Sequence, residues 1–206
     1  MDAKIPARIT YQDAINIMLS IMGEHPYSNA TQESGEVTGD VAMAEKILGE
    51  TSQAVQGEGW NFNLEKEYPL QPDANDKITI PPTVIRWYLT NDKDADRRYV
   101  QRGVYVYDRK EHTFTMTGEL KPTVVWFLEF DDIPETAKRY IAIRAGRILQ
   151  ARTLTSQSVA AFTEAEELQA RADMIENEGD SMQANFLDHP DVGLIAARYN
   201  NPRAGW

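Results

Sequence analysis

Cysteine is missing from the 206 residues, which excludes disulfides, thiolate zinc sites, iron–sulfur clusters and cysteine nucleophiles at a stroke. Histidine is almost as scarce. His25, His112 and His189 lie far apart with no pair at helical ligand spacing, so a zinc or histidine-base site would have to be assembled entirely by the fold. No Gly-x-Ser-x-Gly elbow, phosphate loop or dinucleotide fingerprint occurs. The run Gly57-Glu58-Gly59 lacks a third glycine and follows a helical pattern, where a nucleotide-binding turn follows a strand. Long apolar runs are absent too: no stretch reaches the roughly 18 residues of a membrane span. Residues 1–10 hold Lys4 and Arg8 without the apolar segment of a signal peptide. The expectation is a chain that folds in a reducing cytoplasm, with no membrane span, no metal and no cofactor.

Basic residues are in the minority, 21 against 32 acidic, for a net charge of −11. Such a surface repels phosphate backbones, so tight, sequence-reading nucleic-acid binding is disfavoured. Over residues 156–191 nine acids stand against Arg171 alone, and a block of this kind reads first as a solvated helix face. Two acid pairs close in sequence, Asp131 with Asp132 and Glu65 with Glu67, raise the alternative of a glycan hydrolase. That chemistry needs two carboxyls about 5–10 Å apart in a cleft. Asp131 and Asp132, however, precede a helix expected to start at Pro134, where capping accounts for them.

What is present is a composition able to build a core, 42% hydrophobic and 26% charged. Thr10 followed by Asp13 predicts a helix start. Tyr11, Ile15, Met18, Leu19 and Met22 then recur at helical spacing, Ile17 and Ile21 widen the apolar face, and Gly23 suits the stop. Residues 25–39 read as a long loop. Asp40 predicts the cap of a second helix to about Gln56, with Val41, Ala44, Leu48, Thr51 and Val55 on one stripe. From Trp60 the period changes to two, with Trp60, Phe62 and Leu64 alternating against Asn61, Asn63 and Glu65, which predicts a strand. Further strands are expected at 68–70, 78–80, 84–89, 99–100, 104–107, 113–116 and 123–130. Helix returns at Pro134, with Ala137, Ile141, Ala145, Ile148 and Leu149 inward. A last helix spans about 158–178, with Val159, Phe162, Ala165, Leu168, Ala172 and Ile175 inward, the acids outward, and Gly179 as its stop.

The predicted fold class is α+β. A four-helix bundle forms from the N- and C-terminal parts (residues 1–58 and 131–179), a central antiparallel β lobe from 59–130, and an extended C-terminal docking arm from 180–206. The arm keeps Phe186, Leu187, Leu194, Ile195, Tyr199 and Trp206 among turn-forming residues, and such side chains predict an interface. The aromatics Trp60, Phe62, Trp87, Tyr88, Tyr105, Tyr107, Trp126 and Phe127 read as sheet packing. Only the neighbourhood of Arg97, Arg98, Arg102 and Arg109-Lys110 interleaves cations with them, either as a base-stacking face or as a positive rim for an acidic partner.

Four stretches resemble the tail tubular protein A family, the adaptor or gatekeeper subunits of T7-like podovirus tails. They are Ser20-Ile21-Met22-Gly23-Glu24-His25-Pro26, Gly59-Trp60-Asn61-Phe62-Asn63, Arg102-Gly103-Val104-Tyr105-Val106-Tyr107-Asp108-Arg109 and Asp132-Ile133-Pro134-Glu135. Val104 departs from the pattern, which has glycine there, and the tail sequence finds no match. The resemblance implies a ring, typically of twelve subunits, held between the portal protein and the nozzle protein (tail tubular protein B), with tail fibres as a further candidate partner. It implies a virion location after assembly in the host cytoplasm, a channel through which DNA passes without specific binding, and no catalytic residues. An acidic lining, drawn from the late helix, would let DNA slide. A free-standing regulatory binding module is the third reading.

Overall fold

Thr10 begins the ordered helical part as its sequence predicts. Its hydroxyl accepts the Asp13 N–H at 3.2 Å and the Asp13 carboxylate accepts the Thr10 N–H at 3.0 Å, a reciprocal cap that starts helix α1 (Tyr11–Met22). Gly23 ends it at φ 79°, in the left-handed region that glycine enters without a Cβ penalty. The computed structural model describes residues 8–26, 39–89, 98–153 and 157–187, the side chains of 157–163 and 180–187 excepted. Helix α2 (Gly39–Gln56) buries Val41, Ala44, Ile47, Leu48 and Val55. Most of the loop expected at 25–39 lies outside the described residues.

Helix α3 (Glu135–Thr153) is the hub. It packs against α1, α2 and helix α4 (Gln157–Leu187), and α1 also packs on α2. Ala137, Tyr140, Ile141, Ala142, Ala145 and Leu149 are all fully buried on it. Small side chains let the neighbours approach closely. A Cβ on Gly146 would lie 2.5 Å from Ile21 Cδ1 and 3.4 Å from Met18 Cα of α1.

The strands form two small antiparallel units. One is a three-stranded sheet of order β1-β5-β2, from β1 (Leu64–Glu65), β2 (Val84–Tyr88) and β5 (Thr123–Trp126); the other is the hairpin of β3 (Tyr99–Arg102) and β4 (Tyr105–Asp108). The register slips at Ile85, where Val84 faces Trp126 and Arg86 faces Val125. Leu70, Ile78, Ile80, Val106 and Met116 make a core here separate from that of the helices. The stretches 78–80 and 113–116, expected as strands, contribute only single bridges, Lys77 to Thr115, Thr79 to Tyr105 and Asp108 to Thr113.

Two expectations need larger corrections. The alternating run 60–64 is a turn, and only Leu64–Glu65 is strand. Asn63 explains why: its buried carboxamide Nδ2 donates to Gln56 O at 2.9 Å and Trp126 O at 2.8 Å, while Oδ1 accepts the Trp60 N–H at 2.9 Å. An Asn that serves three backbone groups overrides the period-two pattern, and Trp60 and Phe62 pack on the helical core instead. The last helix runs through Gly179 to Leu187, since one glycine inside a long helix costs only about 1 kcal/mol. Residues 180–187 of the expected arm are therefore helical, and 188–206 lie outside the described residues.

Gln56 completes the joint between helices and sheet. Fully buried, it donates from Nε2 to Leu128 O at 3.0 Å and Ser52 Oγ at 3.0 Å, and accepts the Leu128 N–H at 2.8 Å. Replacing Asn63 by Ala strands two carbonyls and one N–H, and should lower the unfolding free energy by about 2–4 kcal/mol in urea titrations. Asn63→Asp should not rescue it, because a carboxylate cannot donate to the two carbonyls. Gly146→Ala should change stability by less than about 1 kcal/mol, helix propensity offsetting the displacement of the flexible Ile21 tip. Gly146→Leu, which wedges α1 off α3, should cost about 1–3 kcal/mol in the same titration.

Candidate interaction surfaces

The β3–β4 hairpin with the turn and bridge residues after it (residues 98–116, the hairpin lobe) concentrates cations on aromatic rings. Arg102 sits over the Tyr107 ring at 3.7 Å and Lys77 over Tyr105 at 5.3 Å. Phe114 meets Tyr107 edge-on at 4.9 Å and Tyr105 at 6.4 Å. Val104, at the hairpin turn, is 56% exposed and Phe114 36%. From Arg98 to His112 four basic residues face two acidic ones, for a net of +2. His112 lies in the following turn at φ 54°.

Beneath that surface, Asp108 is buried and accepts four donors: Arg98 Nε at 2.8 Å and Arg98 Nη2 on one oxygen, the N–H groups of Lys110 at 2.8 Å and Glu111 at 3.2 Å on the other. The Arg98 bonds, with the two backbone donors behind them, hold its carboxyl down at about 2. Arg98 is thus committed within the chain. Arg102 and Arg109 are exposed, and the Arg109 N–H donates to Arg98 O at 2.8 Å. Arg97 lies outside the described residues, as do Leu194, Ile195, Tyr199 and Trp206, while Phe186 and Leu187 fall in the last turn of α4.

The orientation of α4 reverses the sequence-based expectation. Ala165, Leu168, Ala172 and Ile175, expected inward, are exposed, Leu168 by 64% and Ile175 by 51%. The buried side is Glu167, Ala170 and Met174. The cause lies on α3, whose Arg144 and Arg147 face this helix and require an acid. Glu167 pairs with both. Arg171 donates to the Tyr140 hydroxyl at 2.8 Å and to Glu58 Oε2 at 2.9 Å, and Arg144 donates to the same hydroxyl at 2.6 Å. Glu178 accepts the Asn61 N–H at 2.7 Å. Ala170 and Met174 in the core and a polar seam beside them therefore hold α4, and the stripe from Ala165 to Ile175 faces solvent.

The acid pairs do not converge on a reaction centre. Asp131 accepts the Tyr11 N–H at 3.2 Å, a tie to α1. Glu65 and Glu67 are exposed, Glu67 at φ 56° in a bend after β1. Among described residues the carboxyls displaced from their ordinary acidity, Asp13, Asp73, Asp108 and Glu135, all move down, the opposite of what a general acid requires. A groove of about 340 Å³ between α2 and β2, lined by Gly49, Gln53, Pro82, Val84, Ile85 and Phe127 among others, carries no titratable side chain. Among described residues no cluster of His, Asp and Glu is arranged to hold a metal, and no helix is long and apolar enough to cross a membrane.

A family described as Tail tubular protein matches residues 12–184. Tail tubular protein A of Klebsiella phage KP34 is 26% identical over 130 residues, which cover 63% of this chain and 66% of that protein, just short of two thirds of its length.

The Asp108 cluster sets the acid limb of stability. A carboxyl depressed from 3.8 to about 2 stabilises the fold above its ordinary pKa, and that contribution is lost as pH falls from about 4 to about 2. The melting temperature should therefore drop over this window. Asp108→Asn should start lower at pH 7 and fall less steeply through it; a parallel curve would show that the cluster carries none of the effect.

Proposed function

The chain belongs to the tail tubular protein family, structural components of phage tails, and we propose that it is the ring-forming adaptor joining portal to tail nozzle in a short-tailed phage. In this reading the four helices act as one bundle, residues 59–130 as a projecting β lobe, and the segment from 180 to 206 as an arm that docks through Phe186, Leu187, Leu194, Ile195, Tyr199 and Trp206. Sister copies close a ring, typically of twelve. The portal protein and tail tubular protein B flank it, tail fibres attach at its periphery, and assembly takes place in the host cytoplasm before the particle is complete. Acids of α4 turned to the lumen let DNA pass without adhering, and no reactant is bound or turned over.

The family match across residues 12–184 carries this reading. The stripe that α4 leaves in water supports it, because an apolar helix face of about three turns marks a surface awaiting a partner. The net charge of −11 favours a wall that does not hold DNA.

Mixing the full chain with purified portal protein should give a stoichiometric multi-copy complex by mass photometry. Failure to associate with either portal or nozzle protein would overturn the adaptor reading. A chain ending at residue 187 should melt at the temperature of the full chain yet lose at least tenfold in yield of the flanked complex; equal yield would remove the arm from the interface.

A further inference from the structure

Four residues of α4, Ala165, Leu168, Ala172 and Ile175, recur at spacings of three, four and three, and all are exposed. That spacing is a seam on one side of a helix, with small alanines between two large side chains. At about 100° per residue, Glu164 borders the seam on one side and Glu176 on the other, while Glu166 and Asp173 lie a row further round. Over residues 164–179 six acids oppose only Arg171, and Arg171 is turned inward on Tyr140 and Glu58. The outward face of α4 is therefore apolar down its middle and negative at its edges.

Self-pairing of this face is disfavoured, since it would set Glu164 and Glu176 of one copy against the same acids of the other. The hairpin lobe has the complementary character. Val104 and Phe114 are its exposed apolar side chains, Arg102 and Phe114 share the Tyr107 ring, and its local charge is positive.

We propose that the α4 seam of one copy docks on the Val104–Phe114 face of the hairpin lobe of a second copy, with Arg102 against the acidic margin. The inference rests on the ring reading above and gives it a specific contact. Two different surfaces meet in a head-to-tail fashion, the kind of contact that closes a ring when the rotation between copies divides a full turn. Glu166 and Asp173 stay off the seam and free for the channel.

The chain has no native cysteine, so single substitutions report proximity cleanly. Leu168→Cys and Val104→Cys chains, mixed and mildly oxidised, should give several-fold more covalent two-chain product than either alone, because a disulfide requires Cα atoms within about 7 Å. Ile175→Cys with Phe114→Cys serves as a second pair should either position of the first disturb folding. Linkage of Leu168→Cys to itself at the level of the mixture would show α4 pairing with α4 and overturn the assignment. Multi-copy particles by mass photometry with no mixed linkage from either pair would also overturn it, leaving the ring to other surfaces. Absence of particles, portal protein included, would end the ring reading and this contact with it.

Discussion

Two buried amides, those of Gln56 and Asn63, fix the helices and the sheet in one arrangement. Gln56 belongs to the last turn of α2, and its side chain saturates both backbone groups of Leu128 beyond β5. Asn63 reaches back from the turn before β1 to the Gln56 carbonyl and across to the Trp126 carbonyl. Each amide satisfies polar backbone that would otherwise be stranded where the helix ends and the sheet begins. Charged partners there would carry a desolvation penalty that neutral amides avoid. The joint is therefore specific in geometry and insensitive to pH.

From that joint the division of labour among the helices follows. The hub, α3, has alanine and glycine where neighbours come closest, and Tyr140 where they leave room. Its contacts with α1 and α2 are mainly apolar core, with Ala137, Ile141, Ala145 and Leu149 fully buried. The face toward α4 carries Arg144 and Arg147, which admit a helix only if it brings an acid. Glu167 does so, and Arg171 answers with Tyr140 and Glu58. Held by these polar groups together with Ala170 and Met174, α4 leaves the stripe from Ala165 to Ile175 unburied.

Much of this was legible in the sequence, and the failures have identifiable causes. The Thr10 cap with Asp13, the Gly23 stop, the inward residues of α1 (Tyr11, which is exposed, excepted), α2 and α3, and an antiparallel strand content in the middle were readable because each is set by near neighbours. The 60–64 turn was misread because Asn63 makes its decisive bonds at Gln56 and Trp126, partners that no periodicity reveals. The inner face of α4 was assigned to the wrong side for a related reason. Hydrophobic periodicity assumes that the apolar stripe is the buried one, and it fails where a distant pair of arginines selects the face. The signal that would have corrected it was Glu167 and Arg171, four apart on the opposite side of a helix following the Arg144 and Arg147 pair. Arg98 was read as a surface cation for want of any local sign that Asp108 would enclose it.

An inverted helix also suits the head-to-tail contact proposed above. If α4 were held by its apolar stripe, it would turn Glu167, Ala170, Arg171 and Met174 outward and bury the face that the proposed contact uses. Anchored instead through Glu167, Ala170, Arg171 and Met174, it leaves a face whose centre favours burial and whose margins reject a like-charged neighbour. Acidic margins oppose the pairing of two α4 faces, and under the proposed contact they favour the positive hairpin instead. Attraction from apolar area is indifferent to partner, and discrimination comes from the charges around it. In the proposed contact, direction would follow from placing the apolar stripe and the salt bridges on opposite sides of a single helix.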